Sequence, residues 1–295
     1  MKALKILSLG ADPLLKEAGA HFREFYGPRG VDIQWDTREV ADAAAFSALM
    51  AGNPEVDAVR LVPDLCEEYL AKCPVQPLPV SRYRTADAFY RRQGVWEPEL
   101  LAEESVRRVI MRQAHHLDLR ESAYVAGSGV FLRVVGGVAL GLGFRRVYLV
   151  GENEADLNEQ ARSLMKLYVG SEVQALPAHQ LTVQTVGGSL LVNTLNLASR
   201  PELAADLAYF NFMRRGGLVM DLHGGPSEQL VLEEALRADL RIVPPHEFSG
   251  QSEYFFAERL GLGSLASERD FLNSWFEWLR RLMSAGTAKN PTSVQ

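Results

Sequence analysis

SAYVAGSGVFLRVVGGVALGLGFRRVYLVGEN, residues 122–153, runs strand, glycine turn, apolar helix and second strand, with an acidic residue at that strand's end. This is the opening of a dinucleotide-type βαβ unit. In such a unit the turn glycines let the backbone approach a pyrophosphate, whose charge is held by the free N–H groups of the helix N-terminus. Gly127, Ser128 and Gly129 supply the turn here. The third glycine position of the G-x-G-x-x-G pattern is Leu132, and Val130 and Phe131 are bulkier than a phosphate cradle prefers. The stretch therefore signals the fold more strongly than the cofactor.

Downstream, helical and strand patterns alternate: helix 154–168, strands near 172–176 and 189–195, helix 202–213, strand 217–222, helix 228–238 and strand 240–243. Strands separated by helices of this length imply a mostly parallel, Rossmann-like sheet. Upstream, LKILSLG, a helical stretch 14–26, VDIQW, a helical stretch 41–51 and VDAVRLV predict a smaller α/β domain. Residues 74–98 hold Pro74, Pro77, Pro79 and Pro98 and read as a winding loop with a short hairpin around Arg91–Gly94. The predicted organisation is an α/β domain over 1–98, a connecting helix over 99–121, a Rossmann-like domain over 122–247, C-terminal helices over 248–284 and a disordered tail over 285–295. In the last helix Phe271, Leu272, Trp275, Phe276, Leu279 and Leu282 recur at helical spacing, the pattern of a core face, and Trp278 lies off it.

A net charge of -6 with no clustered basic stripe argues against a nucleic-acid partner. The N-terminal apolar run is too short for a signal segment, and the most apolar helix, 130–144, falls short of the ~20 residues a membrane span needs. A cytoplasmic location without membrane attachment is the expectation. Cys66 and Cys73 match no zinc or redox spacing and read as buried free thiols.

The order of parts resembles the shikimate dehydrogenase family. GSGVFLR at 127–133 resembles that family's G-x-G-G-x-x-R turn. SLLVNTLNL at 189–197 resembles its D-x-I-x-N-T-T-P strand and loop, with Asn193 and Thr194 matching. LVMDL at 218–222 resembles a later strand ending in Asp221, and EFSGQSEYFFAERLG places Gln251 at a substrate-contacting glutamine. The resemblance implies a substrate-type N-terminal domain, a dinucleotide-binding domain, C-terminal helices packed back on the first domain, and a cofactor site at Gly127, Ser128, Gly129, Glu152, Asn193 and Thr194. The family's N-R-T, which selects NADP, aligns with Gly151-Glu152-Asn153. Glu152 would repel a 2′-phosphate and accept hydrogen bonds from ribose hydroxyls, so a bound dinucleotide would be NAD and not NADP. An acid there equally suits a helix N-terminus.

The first half departs from the family. Asp12–Ala18 lacks the serines of H-S-x-S-P, and Val59–Leu65 lacks the lysine of V-T-x-P-x-K. VWEPELLAEES at 95–105 contains no N-T-D, though Glu97, Glu99, Glu103 and Glu104 supply carboxylates. Arg60 and Lys72 lie near the missing lysine, but a guanidinium does not deprotonate usefully. Losing the serine, lysine and aspartate contacts together removes positioning that accounts for roughly 7 kcal/mol or more of a barrier. Two readings follow. The first is a pseudoenzyme: a non-catalytic scaffold that senses a nucleotide or binds a protein partner, with a chain that binds no dinucleotide among its forms. The second is an NAD-dependent oxidoreductase of a small hydroxy or keto acid that uses another acid, such as Lys16, His223 or one of Glu97–Glu104.

Overall fold

Short β-branched and aromatic runs bounded by turn residues sort the chain into two sheets. The computed structural model describes residues 3–10, 13–40, 42–61, 66–223 and 226–287. The chain divides into two compact units, one made of residues 1–77, 86–101 and 249–295, the other of residues 78–85 and 102–248.

In the first unit, β1 (Leu4–Leu9), β2 (Ile33–Arg38), β3 (Ala58–Leu61), β4 (Ala88–Arg92) and β5 (Val95–Glu99) form a five-stranded sheet in the order β2-β1-β3-β4-β5. The first three strands are parallel, joined through α1 (Pro13–Tyr26) and α2 (Ala43–Gly52), and β3 to β5 run antiparallel. A short α3 (Glu67–Leu70) follows β3. The proline-rich 74–98 stretch is more ordered than its composition implied. It holds a helix of the second unit, α4 (Leu78–Tyr83), and, in the first unit, a full hairpin whose turn residues Gln93 and Gly94 both have positive φ, 52° and 83°. That is the twist a two-residue hairpin loop requires.

The C-terminal helices α10 (Pro245–Arg259, in this unit from Ser249 onward) and α11 (Glu268–Thr287) complete the first unit. Tyr254, Phe256 and Phe271 share one core with Phe22, Tyr26, Ile33 and Tyr90. Burying each such aromatic side chain contributes about 1.5–3 kcal/mol, which fixes these helices on the sheet despite their distance in sequence. Trp278, off the predicted stripe, is buried as well, stacked on Trp275 with ring centroids 5.5 Å apart. The helix α11 continues past the stripe to Thr287, and residues 288–295 lie outside the described residues.

The second unit contains α4, α5 (Leu101–Arg112, from Ala102 onward), β6 (Ser122–Ala126), α6 (Gly129–Gly141), β7 (Arg146–Gly151), α7 (Glu154–Leu167), β8 (Glu172–Pro177), β9 (Gly188–Asn193), α8 (Pro201–Leu207), β10 (Met213–Asp221), α9 (Pro226–Arg237) and β11 (Arg241–Val243). Its six strands are all parallel in the order β11-β10-β9-β6-β7-β8. The chain leaves β6 toward β7 on one side and returns to β9 on the other. The C-terminal ends of β6 and β9 are thus the point where connections diverge, where ligands of open α/β sheets bind. Among the described residues no helix is long and apolar enough to cross a membrane.

Candidate functional site

At this divergence point the sequence places Gly127, Ser128, Gly129, Asn193 and Thr194, and the structure brings them together. Ala126 pairs with Asn193 across the two strands. Thr194 donates both its N–H and its Oγ1–H to the Ala126 carbonyl, at 2.8 and 2.9 Å. Gly127 is glycine for a physical reason: a Cβ there would lie 2.3 Å from Thr194 Oγ1 and 3.1 Å from Leu132. Leu132, in the third glycine position, is fully buried beneath the turn. Gly151 at the end of β7 is held equally close, since a Cβ would meet the Gly127 carbonyl at 2.7 Å. Gly129, with φ of 61°, starts α6 in a left-handed conformation that favours glycine. Asn193 folds back on its own loop, donating to the Leu195 carbonyl at 2.9 Å and to Asp221 Oδ1 at 3.2 Å.

The donor that a phosphate would take is Gly129 N–H, and it is already used. It donates to Asp156 Oδ2 at 2.8 Å. Asp156 lies in the first turn of α7, which Asn153 caps by accepting from Asp156 N at 3.2 Å. The Ser128 side chain makes no capping bond to α6. The residues present therefore do not offer a pyrophosphate this amide as they stand, because the Asp156 carboxylate already accepts it. Sequence reasoning did not single out Asp156, because its contact to a turn 27 residues earlier has no local pattern.

Glu152 is exposed and ion-paired with Arg200 at 2.6 Å. It lines a cavity of about 300 Å³ beside the end of β7, together with Gly151, Glu154, His179, Glu202 and Asp206. His223, half-buried after β10, donates its N–H to Asp221 Oδ1 at 2.9 Å, and its Nε2–H faces the Thr194 carbonyl at 2.9 Å. That partner fixes the Nε2-protonated tautomer. Among the described residues no group of three or more His, Cys, Asp or Glu is placed to hold a metal ion.

Gln251 belongs to the first unit, buried on α10. In the same unit Arg60, on β3, is buried among acids that sequence reasoning did not connect to it. Its Nε donates to Glu253 Oε1 at 3.2 Å, Nη1 to the Asp87 carbonyl at 2.8 Å and Nη2 to Ser252 Oγ at 2.6 Å. The Asp87 carboxylate is 3.5 Å away and also accepts the Leu101 N–H. Burial alone would lower the guanidinium pKa, but Glu253 and Asp87 reverse that and hold it above its ordinary value. Arg60 is charged, enclosed and committed to protein partners. Lys72 is exposed, with its ammonium 5.8 Å from the Tyr69 ring centre. Of the Val59–Leu65 stretch, residues 62–65 lie outside the described residues, as does Asp12.

The sequence matches no protein-family profile and no curated protein. Its architecture does match solved structures. Shikimate dehydrogenase of Mycobacterium tuberculosis superposes with a TM-score of 0.71 at 17% identity, covering 93% of this chain and 99% of that one. Quinate dehydrogenase of Corynebacterium glutamicum, solved with NAD, gives 0.77 at 13% identity, covering 93% and 99%. This chain has the shikimate dehydrogenase fold. The same architecture also appears in 5-ketofructose reductase of Gluconobacter sp. strain CHM43, with a TM-score of 0.72 at 12% identity over 94% and 99% of the chains. In this chain the Gly129 amide is met by Asp156 and the β3 cation Arg60 by Glu253 and Asp87.

Proposed function

We propose that this chain is a divergent shikimate-dehydrogenase-like protein without dehydrogenase activity, a pseudoenzyme acting as a nucleotide-sensing or protein-binding scaffold. The observation that carries this reading is the closed Arg60 cluster. Carbonyl reduction needs a group that gives up a proton beside the substrate. Arg60 stands nearest in sequence to the missing lysine, cannot lose a proton usefully, and spends its donors on Glu253, Ser252 and Asp87. Supporting it, the strand-end polar groups Asn193 and Thr194 bond to the protein's own backbone. The test is NAD or NADP reduction by the full chain with shikimate or quinate, where no turnover is expected.

One observation favours a second reading, an NAD-dependent oxidoreductase acting on a shikimate-like or other small hydroxy or keto acid. The turn keeps the left-handed Gly129 and the close Gly127–Gly151 approach of a dinucleotide site, and the quinate dehydrogenase of the same fold was solved with NAD. In this reading Glu152 takes the ribose and His223 moves the proton. Turnover that is lost in His223→Ala with the fold intact supports it.

A further inference from the structure

We propose that Asp156 is a built-in occupant of the phosphate position and closes the glycine cradle to dinucleotides, making it the residue that determines what this site excludes. The inference deepens the protein-binding form of the scaffold reading and rests on it for context, but binding alone tests it. The Asp156 carboxylate is fixed at both oxygens. Oδ2 accepts Gly129 N–H at 2.8 Å, and Oδ1 accepts Gln160 Nε2–H at 2.8 Å. Gln160 is itself buried and accepts from Arg133 Nη1 at 3.1 Å, and Arg133 Nη2 donates to the Tyr83 carbonyl at 2.8 Å. All of these residues belong to the second unit. A chain of hydrogen bonds four links long therefore runs from α4 to the first amide of α6, and Asp156 is its terminal anion.

Two physical consequences follow. The positive end of α6 is neutralised by a charge the protein carries itself, so it no longer attracts an incoming phosphate. A pyrophosphate would have to displace that carboxylate or sit against it, like charge to like charge. The neighbouring cavity adds to the opposition, with Glu154, Glu202 and Asp206 on its walls beside His179 and beside Glu152, whose charge Arg200 pairs. Arg133 offers no relief, because its terminal nitrogens serve Gln160 and Tyr83. A cap serving only the helix would account for the Gly129 bond but predicts no ligand affinity gained on its removal.

The experiment is titration of the full chain with NADH, followed by its fluorescence, for the native protein, Asp156→Ala and Asp156→Asn, with melting curves on each. Asn keeps an oxygen for Gly129 N–H without the charge. The expected result is no saturation of the native protein below about 1 mM, and affinity at least about tenfold higher in Asp156→Ala, with Asp156→Asn between them. Should the alanine variant fail to fold, the asparagine variant decides, a gain supporting the proposal and no gain overturning it. A native protein that saturates at micromolar NADH overturns it, as does a folded Asp156→Ala with no gain. NADH bound without turnover sinks this proposal alone and leaves the absence of dehydrogenase activity standing, whereas turnover sinks that reading.

Discussion

Arg60 and Glu253, 193 residues apart in the chain, meet at 3.2 Å with the guanidinium 5.8 Å from the centre of the Phe256 ring. Removing one member of such a buried group strands the others. Arg60→Met should lower the unfolding free energy by about 3–5 kcal/mol. The double variant Arg60→Met/Glu253→Leu should lose less than the single, since it removes a stranded charge. Urea unfolding of both measures the difference. An Arg60→Met variant as stable as the native protein contradicts a structural role for the cluster.

His21 gives the first unit a pH dependence. Its ring lies between Phe25, stacked at 5.7 Å, and Trp275, edge-on at 5.0 Å, and Nε2 bonds Ser274 Oγ at 3.1 Å. Burial lowers its pKa from 6.5 to about 4, with Glu24 opposing and Arg281 adding to the shift. The unfolded chain therefore binds the proton more readily than the folded one. Stability is full above pH 6.5 and falls as the pH drops toward 4, by an amount on the order of 3 kcal/mol. The slope between pH 5 and 6.5 should flatten in His21→Phe, and an unchanged slope assigns the effect elsewhere.

Gly127→Ala places a methyl where Thr194 Oγ1 stands, 2.3 Å away. Overpacking of this kind costs about 1–3 kcal/mol. Because Thr194 is the obstacle, Gly127→Ala/Thr194→Ala should lose less than the sum of the single changes in a double-mutant cycle. Additive losses would mean the two residues do not share that space.

Both cysteines should be inert in the folded protein. Cys66 Sγ is buried between the Ala86 N–H, accepted at 3.1 Å, and the Ala86 carbonyl at 3.3 Å. Burial pushes the Cys73 thiol up to about 11, so little thiolate forms near neutrality. A thiol reagent at pH 7.5 should modify them only as the chain unfolds. Fast modification of a folded sample contradicts this environment.

The second sheet was legible because its signal is local. The apolar run of β6, the glycines after it and the helix that follows lie within thirty-two consecutive residues, 122–153, and the register of β9 follows from its Asn193-Thr194 end. The 74–98 stretch was only partly legible, since four prolines mask a helix and a hairpin whose first strand, β4, pairs with the distant β3. The contacts around Asp156 and Arg60 were not legible at all. Asp156 reads locally as a helix acid, and its bond to Gly129 depends on how α6 and α7 pack. Arg60 reads as one stray cation in a strand until α10 brings Glu253 and Ser252 to it.

The most direct test is reduction of NAD and NADP by the purified full chain with millimolar shikimate and, separately, quinate, beside an active dehydrogenase of this fold. The account predicts no absorbance change at the nicotinamide wavelength above the enzyme-free blank, in a sample whose melting curve is cooperative. Steady turnover at rates near the ordinary range, about 1 s⁻¹ or faster, would contradict it and restore the chain to the dehydrogenases whose fold it shares.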